Sequence, residues 1–133
     1  MFAFDLSFPM VQEAKCKPQA AHVGLFQADA LRLPVRRESL DQIVCFACFP
    51  HLPDPAAALR EMARVLLPGG RLAVAHLLGR EELARHHGGC SEVARDCLPP
   101  EDRMKALFRN AGFSSPRITD RPGRYLALAE REK

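Results

Sequence analysis

The chain has 133 residues and a net charge of +3, with 47% hydrophobic and 26% charged residues, the makeup of one ordinary globular domain able to bury a core without staples. No apolar run reaches the roughly 18 residues of a membrane span, and Arg36-Arg37 is too short a basic run for a nucleic-acid surface. Five irregularly spaced cysteines, and an N-terminus without a basic segment leading into a long apolar stretch, argue for reduced thiols in a cytoplasm.

Phe2 to Phe4 reads as a short strand buried on both faces, ending in Asp5. Ser7 caps a helix that tolerates Pro9 in its first turn, places Met10, Val11 and Ala14 on one face, and ends at Lys17-Pro18. Val23 to Phe26 is a second strand closing at Ala28-Asp29, followed by a loop with apolar Leu31, Leu33 and Pro34. Ile43 to Phe49, opened by Asp41 and stopped by Pro50, is the most hydrophobic stretch and reads as a central parallel strand. A helix follows, with Asp54 as N-cap, Pro55 at the first helical position, and Leu59, Met62, Ala63 and Leu66 at helical spacing. Pro68-Gly69-Gly70 ends it, and Arg71 to Leu78 is again strand-like. Gly79 to His87 suits a short helix broken by Gly88-Gly89, and Pro100 to Ala111 a longer one closed by Gly112. The tail offers two strands, Arg117 to Thr119 and Arg124 to Ala129, around the turn Arg121-Pro122-Gly123.

Alternating strands and helices predict an α/β domain over residues 1–133: a mostly parallel sheet covered on both faces, with an antiparallel C-terminal strand at one side. Ligands bind such sheets beyond the carboxyl ends of the strands. Asp5, then Asp29 with Ala30, then the turn leading to His51 stand at three successive strand ends. An acid in the first place can accept from both hydroxyls of a ribose, and one in the second from an adenine amino group. Leu6 and Leu31 can hold the purine between them.

These residues carry a resemblance. Asp5-Leu6-Ser7, Gln27-Ala28-Asp29-Ala30-Leu31, Leu40-Asp41-Gln42-Ile43-Val44 and His51-Leu52-Pro53-Asp54-Pro55 resemble class I S-adenosylmethionine-dependent methyltransferases, in the family's order. The segment from Leu59 through Glu61, Arg64-Val65-Leu66 and Pro68-Gly69-Gly70 to Leu72 is similar to a segment of the small-molecule members. The resemblance implies a Rossmann-like methyltransferase fold with S-adenosyl-L-methionine as cofactor and a small-molecule substrate. Asp5 matches the ribose acid, Leu6 the apolar residue beside the adenine, Asp29 the adenine acceptor and Ala30 its backbone partner. Cys45 and Phe46 match the segment passing the methionine end, and His51 a position at the active-site mouth. Transfer is an in-line displacement on the sulfonium methyl, in which positioning does much of the catalysis.

The family's first strand, glycine loop and following helix belong before Asp5, where four residues stand. The missing strand is normally central, between those of Asp5 and Ile43. Its absence leaves two strand edges unpaired and impairs binding of the cofactor's amino-acid end. The expectation is that the true start lies upstream; otherwise the two edges pair directly or with another chain, as in a homodimer, or the domain has lost cofactor binding.

Cys45-x-x-Cys48 on a continuous strand would point its thiols to opposite faces, so both read as small core hydrophobes rather than a metal or redox pair. His76, His86, His87, Cys90 and Cys97 are the residue types of a zinc site, in a spacing that matches no structural zinc pattern. A substrate-facing segment after the Arg71 strand is the better reading, with His76 orienting a nucleophile or acting as its base and His86 facing substrate, a solvated helix face being the equal alternative for His86 and His87. Tyr125 is most simply a core or edge aromatic. Two other functions stay open: a non-catalytic methyltransferase-like module pairing through its sheet edge, and a metal-binding protein using the histidine and cysteine cluster.

Overall fold

The computed structural model describes residues 1–87 and 97–133, so the Gly88-Gly89 break and Cys90 lie outside the described residues. In chain order the elements are β1 (Phe2–Asp5), α1 (Phe8–Lys15), β2 (Gly24–Gln27), β3 (Leu40–Phe46), α2 (Pro55–Val65), β4 (Leu66–His76), α3 (Arg80–His87), α4 (Glu101–Asn110), β5 (Arg117–Arg121) and β6 (Arg124–Glu130). The strands form two sheets, β1-β2 and β3-β4-β6-β5. β1 with β2 and β3 with β4 are parallel, whereas β6 is antiparallel to both its neighbours. The Rossmann-like α/β reading holds, but the antiparallel strand lies inside its sheet rather than at one side. A two-residue turn, Pro122-Gly123, lets β6 fold back on β5, with Gly123 at φ 72°.

Alternation in the larger sheet sends Cys45, Leu72, Val74, Tyr125, Ala127 and Ala129 to one face, where they join Leu59, Met62, Leu83, Met104, Phe108 and Phe113 in a single core. α2 follows the capping logic of its sequence: the Asp54 carboxylate accepts from the Ala57 N–H at 2.9 Å, Pro55 opens the helix, and Ala58, Leu59, Met62 and Ala63 are buried. α2 packs on α4, whose Met104 and Phe108 are buried. The other face is open among the described residues: Val44 is 66% and Phe46 54% exposed. The expected cover on both faces is therefore not met, because α1 lies against β1 and β2 instead.

Three further expectations change. β1 is not buried on both faces; Phe2, Ala3 and Asp5 are exposed and Phe4 half-buried, the aromatic packing being local, with Phe26 at 6.4 Å from Phe2 and 5.8 Å from Phe4 between ring centroids. β3 is an edge strand and stops at Phe46, because Ala47 takes a left-handed conformation (φ 53°). Pro68-Gly69-Gly70 does not end α2, which stops at Val65; it lies inside β4 as a bulge-like excursion, the register with β3 jumping from Leu66 opposite Leu40 to Arg71 opposite Gln42. Gly69 sits at φ 78°, and its N–H donates to the Arg131 carbonyl at 2.9 Å. Tyr125 is a core residue, and its hydroxyl has no hydrogen-bond partner among the described residues.

Candidate functional site

β1 and β2 run side by side in register, Asp5 opposite Gln27, so their carboxyl ends bring the two sequence-predicted acids to one rim. Three hydrogen bonds build this rim. The Ala28 N–H donates to the Asp5 carbonyl at 3.0 Å, the Gln27 side-chain amide to the Leu6 carbonyl at 2.8 Å, and the Arg32 N–H to the Asp29 carbonyl at 3.0 Å. Each acid also turns back on its own loop. Asp5 Oδ1 accepts from the Ser7 N–H at 2.7 Å, and Asp29 Oδ1 from the Leu31 N–H at 2.9 Å. Both are Asx-type turns, which fix each carboxylate at a strand end. Ser7 gives no side-chain cap to α1; Asp5 satisfies its amide instead. Asp5, Leu6 and Asp29 are exposed, Ala30 is half-buried, and Leu31 packs against the core.

The end of β3 meets the same rim. Cys45 is buried and belongs to the core, while Phe46 is exposed. After Ala47 the chain turns into a 3-10 turn over Phe49–His51, with the His51 N–H donating to the Cys48 carbonyl at 3.0 Å. The Cys48 thiol registers its neighbours. A hydrogen bond with Cys45 pulls its pKa down to about 7; partial burial and the Asp5 carboxylate push it up, and His51 pulls it down. Asp5, Cys48 and His51 thus share one electrostatic neighbourhood. Cys45 moves the opposite way, raised by the same hydrogen bond and then by burial. The Sγ atoms of Cys45 and Cys48 lie 3.1 Å apart. The expectation of thiols on opposite faces fails because the strand ends between them.

His76 closes β4, opposite Tyr125. Its Nδ1 accepts from the Leu78 N–H at 3.0 Å, so the neutral ring carries its proton on Nε2. That tautomer presents a donor. His86 is exposed on α3 and borders a shallow surface depression with Leu78, Glu82 and Arg85. Among the described residues no three His, Cys, Asp or Glu side chains gather in a geometry that could hold a metal ion.

Sequence reasoning missed two positioning groups. Glu82 accepts from the Gly79 N–H at 2.9 Å and the Gly123 N–H at 2.7 Å, clamping the start of α3 to the β5–β6 turn. These two bonds, that to Gly123 foremost, hold its carboxyl below the ordinary range. Glu61 accepts from the Leu33 N–H at 2.8 Å and pairs with Arg64 at 2.7 Å, while Arg64 donates to the carbonyls of Leu33 and Val35. They tie the loop after β2 to α2. A cavity of about 490 Å³, lined by Arg37, Arg60, Arg64 and Arg131 among others, lies beside the amino ends of β3 and β4, away from this rim.

The residues present fit the nucleoside half of a cofactor: two carboxylate acceptors at adjacent strand ends, with the exposed side chain of Leu6 beside the first. No helix of the described residues is long and apolar enough to cross a membrane.

Residues 1–74 match the family described as a methyltransferase domain. A methyltransferase of Streptomyces halstedii is 39% identical over 98 residues, covering 70% of this chain and 35% of that protein. An O-methyltransferase of Aspergillus nomiae is 35% identical over 109 residues, covering 77% and 47%. The chain thus spans about a third to a half of the length of these relatives. In fold it is similar to a Haloferax volcanii methyltransferase solved in complex with the Trm112 methyltransferase activator (TM-score 0.81, 21% identity, 99% of this chain and 72% of that one). It is also similar to a SAM-dependent methyltransferase of Thermotoga maritima (TM-score 0.78, 21% identity, the same coverage).

Proposed function

Because this chain belongs to the methyltransferase domain family, we propose that it supplies the nucleoside-binding part of a class I S-adenosylmethionine-dependent methyltransferase acting on a small molecule. The observation that carries the reading is the register of β1 and β2, two parallel strands whose carboxyl ends set Asp5 opposite Gln27, two residues before Asp29. Asp5 accepts from the ribose hydroxyls, Asp29 from the adenine amino group, the Ala30 backbone meets the ring nitrogens, and Leu6 lies beside the purine. The cofactor supplies an electrophilic methyl group. His51 stands at the mouth of the site, and His76, at the end of β4, orients the substrate. His86 faces substrate from α3. Reduced thiols favour a cytoplasmic setting.

Phe46, exposed at the end of β3, lies along the path of the methionine end, with Cys45 behind it in the core. β1 and β3 each have one edge without a strand partner among the described residues. A strand between them, such as one from a second copy, would join the sheets and bring backbone donors to the cofactor's amino-acid end. Exposed Val44 and Phe46 beside that edge favour, as a second reading, a non-catalytic module that pairs through it.

Calorimetric titration with S-adenosylhomocysteine separates the two. Binding to the native chain, weakened about tenfold or more by Asp5→Ala as a charge-assisted hydrogen bond is lost, supports the enzyme reading. Absence of both heat and thermal shift with the native chain overturns it.

A further inference from the structure

We propose that Cys45 and Cys48 are a dithiol modification site, which a small-molecule disulfide converts into an internal disulfide, with Cys48 the sulfur that reacts first. This goes beyond the methyltransferase reading and does not depend on it.

The geometry comes from the end of β3. Cys45 is the last buried residue of the strand, 3% exposed, and its sulfur lies in the core. Ala47 is held in the left-handed region at φ 53° while its N–H still donates to the Ala75 carbonyl at 2.9 Å. The strand is thereby anchored up to the point where it reverses. Cys48 is carried back over Cys45, and the two sulfurs meet at 3.1 Å, only about 1 Å beyond a disulfide bond length. A small closure therefore suffices.

The two thiols are unlike in a way that orders the reaction. Cys48 is exposed and Cys45 buried. The Cys45 thiol, His51 and Asp5 act on the Cys48 sulfur, and their combined effect with burial leaves a substantial thiolate fraction near neutral pH. Among the other described cysteines, Cys16 and Cys97 are both exposed, and neither has a sulfur partner among the described residues.

The chemistry balances with oxidised glutathione as the reagent. The Cys48 thiolate attacks one of its sulfurs, forming a mixed disulfide and expelling one glutathione thiolate. Cys45 then gives up its proton, its sulfur displaces the second glutathione from Cys48, and the Cys45–Cys48 bond forms. The protein pair loses two electrons, glutathione disulfide gains them, and the two cysteine protons end on the two glutathione thiols.

Peptide mapping tests this directly, because residues 38–60 contain no Lys or Arg before Arg60 and follow Arg37. Trypsin releases Cys45 and Cys48 together, without any other cysteine. The folded native chain is exposed to oxidised glutathione, quenched in acid and alkylated before digestion. The expected product is this peptide two hydrogens lighter, with loss of alkylation at both cysteines and no retained glutathione. In Cys45→Ala the reaction stops at a glutathione adduct on Cys48. In Cys48→Ser, a substitution at an exposed position, Cys45 stays reduced and is alkylated only after unfolding. A native chain that accumulates a stable glutathione adduct on Cys48 overturns the proposal, as does a disulfide from either cysteine to Cys16 or Cys97. Modification of Cys45 in folded Cys48→Ser overturns the assigned order.

Discussion

The two ends of this molecule are held together by different physics. From β3 onward, alternate strand positions and one face each of α2 and α4 meet in a continuous core that includes Leu59, Leu72, Phe108 and Phe113 at 0% exposure. In the segment from β1 to β2 only Val11 is buried among the described side chains, and the strands are fixed by their mutual ladder, a small aromatic cluster and loop hydrogen bonds. The difference shows where rigidity and function part company. The acids proposed to hold a nucleoside stand on the lightly packed unit, in the low-stability part of the structure from which binding elements are commonly drawn. The well-packed unit supplies the scaffold.

Breaking the scaffold should have the largest effect. Phe108→Ala removes a fully buried ring whose centroid is 5.6 Å from that of Phe113, and chemical denaturation should register a loss of about 3–5 kcal/mol. Gly79→Ala comes next. A Cβ there would stand 2.6 Å from the Arg121 carbonyl oxygen, a backbone atom that cannot swing aside, so a loss of about 1–3 kcal/mol is expected by the same measurement.

Cutting the tie between the regions sharpens the contrast. The Glu61 carboxyl is held below its ordinary value of 4.5 by its hydrogen bond with Arg64, against burial and with help from the Leu33 N–H. A carboxylate lowered in the folded state contributes its stabilisation in full above the unfolded value and loses it as the pH falls through the folded one. Limited proteolysis should therefore release the β1–β2 segment faster below pH 4.5 while the core remains protected. Glu61→Gln should show the same release at neutral pH. If both regions become susceptible together, they are one cooperative unit. The smallest effect is expected for Phe26→Ala, on the half-buried face of the small sheet. It should change the main unfolding transition by less than about 1 kcal/mol, yet increase amide exchange in β1.

What could be read from the sequence depended on the range of the signals. α2 was legible because cap, proline and apolar spacing all sit within one short segment, from Asp54 to Val65. Asp5 and Asp29 were legible as residues following short apolar runs, and the ladder sets Asp5 opposite Gln27, two residues before Asp29. The approach of Cys45 and Cys48 was not. Nothing in an alanine announces a left-handed turn, so the strand was carried three residues too far, from Phe46 to Phe49. The clamp by Glu82 was equally hidden, since its partner Gly123 lies 41 residues away. The open face of β3 escaped for a related reason: an apolar run looks the same whether its cover is present or not.

The order β3-β4-β6-β5 has a consequence for how the chain reaches this structure. The strand between β4 and β5 is the last of the described strands to leave the ribosome. Until residues 124–130 emerge, β4 and β5 have nothing to bridge them, and Tyr125, Ala127 and Ala129 are missing from the core. Neither strand can dock early into a finished sheet. The β3–β4 pair must wait with one ladder incomplete while α4 and β5 are made, exposed in that interval to chaperones and to other nascent chains.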